Sequence, residues 1–470
     1  MFSIQTKCGE GGVPSGPDWR TSWFVGGKKS ISLSVKRVPV RIEFEVRSTT
    51  MVLVNTENLP DGELPPSLRL RLGEVLELCD ASLRRTAERW GAEAPAPIWT
   101  EGGAWYRQPD MWTDWTPGFY AGQMWLLHKL LKDDFWAQKA REHSTALLPR
   151  RLDRDVHDLG FIFLSSYGRW IEQTDADDPA RRELVDAVVT AATVQSERWN
   201  GVTDEGFIYS FNGPQSLFID IMMNVRLLFW AAANGADPRV GERAIEHSRT
   251  SAKYLVRCDG GGLGEEDGSV AHEAIFNTEE GRGEFRCLST QQGYSPFTCW
   301  ARGLAWALYG YAYAWGASGH GEFLETAHRC ARYYLSNTPG DRVPYWDYGA
   351  PGIPDEPRDS SAAAIAGCGL MLLADLDPGA GGAESYRRTA IEIATTLSGD
   401  EYLGPKREGE EGLLLGGVYH RPRGWGVGGA VMWGYYFFLE LIERLLGLDD
   451  EDLRPLGPGE CPVRLEKPAD

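Results

Sequence analysis

The chain has 470 residues, of which 42% are hydrophobic, and it carries a net charge of −19 at pH 7. The hydrophobic fraction suffices for one large core or for two ordinary domains. The negative charge argues against nucleic acid as a partner, because binding to phosphates requires a basic surface.

The sequence has no feature of a membrane, secreted or metal-binding protein. No uninterrupted apolar run reaches about 18 residues, so we expect neither a membrane span nor a membrane partner. The N-terminus lacks the apolar segment of a secretory signal. The eight cysteines and eight histidines show no Cys-x-x-Cys or His-x-x-x-His spacing, which fits reduced thiols better than disulfides or a zinc site. We therefore expect a soluble, cytoplasmic protein without a metal.

Residues 1–60 differ from the rest of the chain. Patches rich in glycine and proline are followed by two alternating β-branched runs, at 31–38 and 40–54, which are typical of strands. A small strand-bearing extension would explain this composition. A start placed too early, with Met51 as the true first residue, would explain it equally well.

From Pro65 onward helical periodicity dominates, and two kinds of segment alternate. Amphipathic, charged segments are predicted at 66–90, 134–149, 179–199, 238–257, 322–337 and 384–398. Apolar segments rich in glycine and aromatics are predicted at 116–131, 157–172, 219–233, 300–316, 359–375 and 429–447. Six of each kind predict an all-α protein with an (α/α)6 barrel, in which the apolar helices form the inner ring. We assign 61–450 to this barrel and 451–470 to a C-terminal tail.

Two aspartates stand at the start of apolar segments. Asp158 lies within His157–Phe161, and Asp220 within Ile219–Asn224. A buried carboxylate is costly without a partner, whereas two neighbouring carboxylates can share one proton, so that one acts as an acid near neutral pH. The pair therefore predicts acid/base chemistry in a polar pocket. Alternatively, each aspartate simply caps its helix.

Other candidate residues are those that suit an anionic sugar. Arg302 and Trp306 are four residues apart, hence on one helix face, and could offer a guanidinium and an indole to a uronate. A Trp in the core beside an Arg that pairs with an Asp would give the same sequence pattern. Trp115 begins an aromatic cluster of a kind found in carbohydrate clefts and also in cores. His272 lies in a long loop as a hydrogen-bond donor or a surface residue. The irregular links 258–298 and 400–428 are predicted to build the pocket rim.

Seven segments, in order between about residues 65 and 447, resemble the unsaturated glucuronyl hydrolases, family 88 of the glycoside hydrolases. They are Asp114–Phe119, His157–Phe161, Ile219–Asn224, Gln292–Ser295, Cys299–Gly303, Pro344–Asp347 and Ile353–Ala362. The resemblance implies an (α/α)6 barrel that needs no cofactor. It also implies removal of a 4,5-unsaturated uronic acid from the non-reducing end of oligosaccharides made by polysaccharide lyases, by hydration of the enol-ether double bond.

The same resemblance assigns roles to residues. Asp220 would protonate C4 and then help water to add at C5, and Asp158 would hold substrate hydroxyls and keep Asp220 protonated. The subsite for the unsaturated ring would be lined by Trp115, His272, Gln292, Arg302 and Trp306. The implied partner is a small anionic oligosaccharide, and a monomer and a homodimer both remain open.

Four segments depart from the family pattern. Ile221 replaces the first Asn of Ile-Asp-Asn-Met-Met-Asn, and Phe211 replaces a common Trp. Pro296-Phe297 replaces an acidic pair, and Arg421 stands where the rim segment usually has Lys. These changes leave the reaction intact, but they put the preference for the leaving sugar and any sulfate recognition near Arg421 in doubt.

Three alternative functions remain. A hydrolase of unsaturated rhamnogalacturonan products would share the fold and chemistry and differ in the leaving sugar. An inverting glycosidase acting on a saturated glycan would need carboxyl groups roughly 6.5–9.5 Å apart. A sugar-binding toroid without catalysis would not need both aspartates.

Overall fold

A computed structural model describes most of the chain. It covers residues 64–108, 114–201, 205–257, 267–278, 283–379 and 381–447, together with the backbone of three N-terminal strands. The chain divides into two compact units, Met1–Leu53 and Val54–Asp470.

The first unit contains an antiparallel sheet of three strands in the order β1-β2-β3. These are β1 (Trp19–Thr21), β2 (Ser30–Val35) and β3 (Val38–Glu43). Strands within the first 60 residues are thereby confirmed. Residues 44–54 of the predicted second run lie outside the described residues, and the alternative start at Met51 stays a prediction.

The second unit is built from alternating outer and inner helices. The outer helices are α1 (Pro66–Arg89), α3 (Asp134–Leu147), α6 (Pro179–Ser196), α8 (Pro238–Leu255), α10 (Gly321–Asn337) and α12 (Ala383–Leu397). The inner helices are α2 (Pro117–Leu131), α4 (Leu159–Phe163) with α5 (Arg169–Glu172), α7 (Ile221–Ala233), α9 (Ala301–Ser318), α11 (Ser360–Leu376) and α13 (Met432–Leu445). Each inner helix packs on the next, and α13 packs on α2, which closes the ring. The predicted (α/α)6 barrel is confirmed.

The burial of side chains explains the two rings. Every residue of α9 from Ala301 to Ala317 is buried, whereas α8 buries one face, with Val240, Ala244 and Ile245 inward, as expected for a helix with solvent on its other side. Several outer helices begin at an aspartate whose carboxylate accepts a hydrogen bond from the backbone two residues on, as Asp237 does for α8. Such caps satisfy backbone donors that the helix leaves free.

Short strands occupy the links that lead into inner helices. They are β4 (Trp99–Glu101), β5 (Ala104–Tyr106), β6 (Trp199–Asn200), β7 (Phe207–Ile208), β8 (Ser216–Phe218), β9 (Glu273–Asn277), β10 (Glu284–Ser289), β11 (Val418–His420) and β12 (Trp425–Val427). The predicted irregular links 258–298 and 400–428 thus contain β9 to β12, and residues 258–266 lie outside the described part. Among the helices in the described ranges, none is both long and apolar enough to cross a membrane.

Candidate active site

Asp158 and Asp220 stand where two neighbouring inner helices, α4 and α7, begin. Neither carboxylate makes a capping hydrogen bond to its helix, so the interpretation that they are simple caps is wrong. Both instead line a small cavity. The wall of this cavity is formed by Trp115, His157, Asp158, Phe161, Phe211, Phe218, Asp220, Gln292 and Tyr419.

Asp158 is held by two polar neighbours. Asn224 Nδ2 donates to its Oδ1 at 3.1 Å, and His157 Nε2 lies 3.3 Å from the same oxygen. His157 Nδ1 accepts a hydrogen bond from the backbone N–H of Phe211, which leaves the ring proton on Nε2, facing the carboxyl group. Burial lowers the pKa of His157 to about 3, so this imidazole is neutral at physiological pH.

Asp220 faces a second histidine of the same construction. The Nδ1 atom of His272 accepts from the backbone N–H groups of Gln291 and Gln292, and its Nε2 lies 3.4 Å from Asp220 Oδ2. In the described part of the chain, these two facing atoms make no well-aligned hydrogen bond to any group, although both are buried. Buried polar atoms without a partner are rare and costly, so they mark the place where a polar ligand is expected.

The two carboxyl groups differ in acidity. Burial and the nearby charge of Asp220 raise the pKa of Asp158 well above its usual range. Burial would also raise the pKa of Asp220, but the Nε2 side of the His272 ring, 3.4 Å away, together with His157 and Arg302, outweighs burial and lowers this pKa below its usual value. In the free protein, Asp158 therefore takes up a proton more readily than Asp220, and the role of Asp220 as the proton donor stays a prediction.

Two amide side chains that were not predicted position the carboxyl groups. Asn224, one turn after Asp220, accepts from the backbone N–H of Phe161 through its Oδ1 while it donates to Asp158. Gln195, on outer helix α6, accepts from the N–H of Leu159 and donates to the carbonyl of His157. Asn224 stood within a matched segment, whereas nothing in the sequence pattern pointed to Gln195.

Gly160 allows the helices that carry the two aspartates to approach each other. A Cβ atom at this position would lie 2.7 Å from Asn224 Cα and 2.8 Å from the Asn224 carbonyl oxygen. Both are backbone atoms of α7, which a rotation of a side chain cannot move. The short distance between α4 and α7 therefore depends on this glycine.

Aromatic side chains form the remaining wall. Phe211 stacks on His157 with ring centroids 5.1 Å apart, and Trp115 Nε1 donates to the hydroxyl of Tyr419 at 3.3 Å. The structure thus brings the predicted Trp115 and Phe211 to the cavity. Tyr419, on β11, is a wall residue that the sequence pattern did not reveal.

Arg302 and Trp306 lie behind the cavity rather than in its wall. Arg302 is 1% exposed, and its guanidinium donates to Gln292 and to the carbonyls of Val418 and Tyr419. It also pairs with Asp359 at 3.4 Å. This agrees with the alternative interpretation of Arg302 as an arginine paired with an aspartate.

Trp306 is fully buried and packs against Phe161, with ring centroids 4.9 Å apart. Arg421 is also outside the wall: its side chain is 43% exposed and lies 3.6 Å from Glu356. Of the predicted residues, Asp158, Asp220, Trp115, Phe211 and Gln292 line the cavity, and His272 adjoins it through Asp220. Within the described ranges, no group of three or more His, Cys, Asp or Glu side chains is placed to hold a metal ion.

Comparison with known proteins shows extended similarity to one family of enzymes. No protein-family model matches the chain. An unsaturated glucuronyl hydrolase from Bacillus sp. (strain GL1) is 34% identical over 391 residues, which cover 80% of this chain and 95% of the relative. An unsaturated chondroitin disaccharide hydrolase from Streptococcus pyogenes is 32% identical over 71% of this chain and 81% of the relative.

A solved structure shows the same similarity. The crystal structure of the Bacillus sp. GL1 unsaturated glucuronyl hydrolase, described as responsible for the degradation of glycosaminoglycan, superposes with a TM-score of 0.70 at 29% sequence identity. The superposition covers 84% of this chain and 100% of that one.

Proposed function

The chain belongs to the unsaturated glucuronyl hydrolase family, and from this premise we propose that it removes a 4,5-unsaturated uronic acid from the non-reducing end of oligosaccharides made by polysaccharide lyases. The observation that carries the proposal is the buried Asp220–His272 pair, whose facing atoms lack well-aligned partners beside the second carboxyl group, Asp158. We assign the protein to family 88 of the glycoside hydrolases.

The proposed reaction is hydration of the C4=C5 double bond. Asp220 gives a proton to C4, the water oxygen bonds to C5, and the released water proton returns to Asp220. The hemiketal formed at C5 opens to a ketone, which leaves a hemiacetal at C1 that expels the remaining sugar. One carboxyl group thus acts first as acid and then as base, and His272 Nε2–H stabilises its charged form.

The proton must move before this step. In the free protein Asp158 takes up a proton more readily than Asp220, because the Nε2–H of His272 favours the ionised form of Asp220. The substrate brings its own carboxylate and displaces water from the cavity, and both effects raise the pKa of a neighbouring carboxyl group. We propose that binding transfers the shared proton to Asp220, while Asp158 then accepts hydrogen bonds from substrate hydroxyls.

The remaining predicted residues receive different tasks. Trp115, Phe211 and Gln292 contact the unsaturated ring, because they line the cavity. Arg302 is a positioning residue that acts through Gln292, and Trp306 supports Phe161 from below. Arg421, exposed on the rim, contacts the leaving sugar or a sulfate on it.

We also propose that the protein works in the cytoplasm on small lyase products. The buried thiols of Cys79, Cys299 and Cys368, which form no disulfide, support a reducing compartment. The relative from Streptococcus pyogenes bears the name of a chondroitin disaccharide hydrolase, so an unsaturated glycosaminoglycan disaccharide is the first substrate to test.

The experiment follows the ultraviolet absorbance of the conjugated uronate while the protein acts on unsaturated disaccharides of glycosaminoglycan, ulvan, gellan and rhamnogalacturonan origin. Each is paired with its saturated counterpart, whose cleavage is followed by released reducing sugar. Loss of absorbance on an unsaturated member, without cleavage of its saturated partner, supports the proposal. Turnover of a saturated disaccharide at a comparable rate would instead favour an ordinary inverting glycosidase, and turnover confined to the rhamnogalacturonan product would favour the related galacturonide activity.

A further inference from the structure

A second cavity lies inside the barrel, below the site described above. It is small, and Phe161 forms part of the wall of both cavities, so this side chain separates them. Arg226, which lines the second cavity, stands six residues after Asp220 on α7, or about 9 Å further along the helix axis. The cavity is therefore distinct from the one that contains the aspartates.

An irregular turn borders this cavity. Between α4 and α5, residues Leu164–Gly168 form a π-helical turn, and Leu164 and Ser165 both line the cavity. A π turn inserts an extra residue into a helix and is common at functional sites. The inner helix is thus locally widened where the second cavity lies.

Charged side chains are concentrated around the cavity and are buried in the barrel. The cations are Lys129, Arg169, Arg226 and Arg444, and the carboxylates are Glu172, Glu440 and Glu443. Arg169, Glu172, Arg226 and Arg444 line the cavity, and the other three groups are joined to them by ion pairs. Within this cluster of described residues there are four cations and three carboxylates, which leaves one positive charge in excess.

The ion pairs identify which cation is in excess. Arg169 pairs with all three carboxylates at 2.9–3.1 Å. Lys129 pairs with Glu443 at 2.9 Å, and Arg444 pairs with Glu440 at 3.3 Å. Each of these three cations therefore has a carboxylate partner within the barrel.

Arg226 makes no ion pair with a carboxylate among the described residues, although it is only 8% exposed and its Nε atom makes no hydrogen bond. The charge of Glu440, which already pairs with Arg169 and Arg444, attracts Arg226 from beyond the distance of an ion pair. Its guanidinium lies over the rings of Tyr309 and Tyr313, 4.5 and 4.8 Å from their centroids. Burial raises the pKa of Tyr309 well above its usual range, so this phenol supplies no negative charge. A ring face compensates only part of the cost of burying a cation, and water cannot neutralise it.

We propose that this interior cavity binds one small monovalent anion of the halide class, held by Arg226. The wall also contains Arg169, Arg444 and Glu172, and the carboxylate of Glu172 pairs with Arg169. Its apolar part, formed by Leu164, Met223 and Phe437, favours a weakly hydrated ion over a strongly hydrated one such as sulfate. The bound anion neutralises the excess charge, and the folded protein is more stable in its presence because the unfolded chain has no such site.

The test compares sodium bromide with sodium gluconate at equal ionic strength, since gluconate is too large and too polar for the cavity. Bromide at about ten times its dissociation constant is expected to raise the melting temperature by about 2 °C. Crystals soaked in bromide are expected to show an anomalous scattering peak beside Arg226.

Two variants make the test specific. Arg226→Met removes the charge at similar volume and should abolish both the stabilisation and the peak. Arg239→Met removes an exposed arginine that pairs with Asp237 and should leave both unchanged. Equal melting temperatures of the wild-type protein in the two salts, together with no bromide peak in the cavity, would overturn the proposal even if Arg226→Met failed to fold.

Discussion

Substitution of Gly160 by alanine should reduce catalysis far more than it reduces stability. The added Cβ would lie 2.7 Å from Asn224 Cα, whereas carbon atoms in contact stand about 3.5–4.0 Å apart. Helices α4 and α7 would therefore have to separate by about 1 Å. Asp158 lies two residues before Gly160, and Asp220 lies four residues before Asn224. Separation of the helices would therefore increase the distance between the two carboxyl groups.

The expected magnitudes follow from this displacement. An overpacked core position costs about 1–3 kcal/mol of unfolding free energy, which a barrel of this size tolerates. A misplacement of about 1 Å can reduce turnover about 100-fold. We therefore expect a folded Gly160→Ala variant whose kcat, measured from loss of uronate absorbance, falls by about two orders of magnitude.

A matched control is available in the outer ring. Gly73 lies inside α1, and a Cβ there would meet no atom within 4 Å, so Gly73→Ala should keep full activity and gain about 0.5–1 kcal/mol in stability. A Gly160→Ala protein with the kcat of the wild type would refute the view that close helix approach sets the geometry of the carboxyl pair.

Three further substitutions test how the site is held. Asn224→Ala removes a hydrogen bond that lowers the pKa of Asp158 and should reduce kcat about 10- to 100-fold, with the acidic limb of the pH–rate profile moved upward; an unmoved limb would contradict this. Gln195→Met leaves two buried backbone groups beside Asp158 unpaired, so denaturant unfolding should show a loss of about 2–4 kcal/mol; an unchanged midpoint would show that Gln195 is dispensable. His247 has a pKa lowered to about 3 by burial. It therefore stabilises the fold above pH 6.5 and loses this effect as the pH falls towards 3, because the unfolded histidine binds a proton first. The unfolding free energy of His247→Gln is expected to be lower than that of the wild type at neutral pH. On acidification this difference should become smaller by up to about 1.4 kcal/mol per pH unit. A difference that stays constant with pH would count against a buried neutral imidazole.

The barrel was predictable because its signal is local and repeated. An inner helix such as α9 is apolar on all sides, whereas an outer helix such as α8 is apolar on one side only. The alternation of the two kinds of helix therefore follows from the spacing of apolar residues in the sequence. Asp158 and Asp220 were predictable for a related reason. An ionisable residue beside a long apolar run is expected either to cap the helix or to take part in function.

The missing parts of the site depend on contacts between distant segments. Gln195 lies on an outer helix, 36 residues after Leu159 in the chain, and the sequence around it does not distinguish it from a solvent-exposed glutamine. Tyr419 comes to the cavity on a short rim strand, β11. The order of the two carboxyl pKa values was also beyond the sequence pattern, because it depends on His272 lying 3.4 Å from Asp220 rather than from Asp158.

The most direct test of the central claim compares Asp220→Asn with wild-type protein on an unsaturated disaccharide that the wild type consumes. The same isosteric change at Asp237, an exposed helix cap, serves as the control, since asparagine caps helices about as well as aspartate. We expect Asp220→Asn to bind the disaccharide still but to consume the uronate chromophore about 100- to 10,000-fold more slowly than the wild type, and we expect Asp237→Asn to match the wild type. An Asp220→Asn protein that turns over at the wild-type rate would contradict the role of Asp220 as the proton donor.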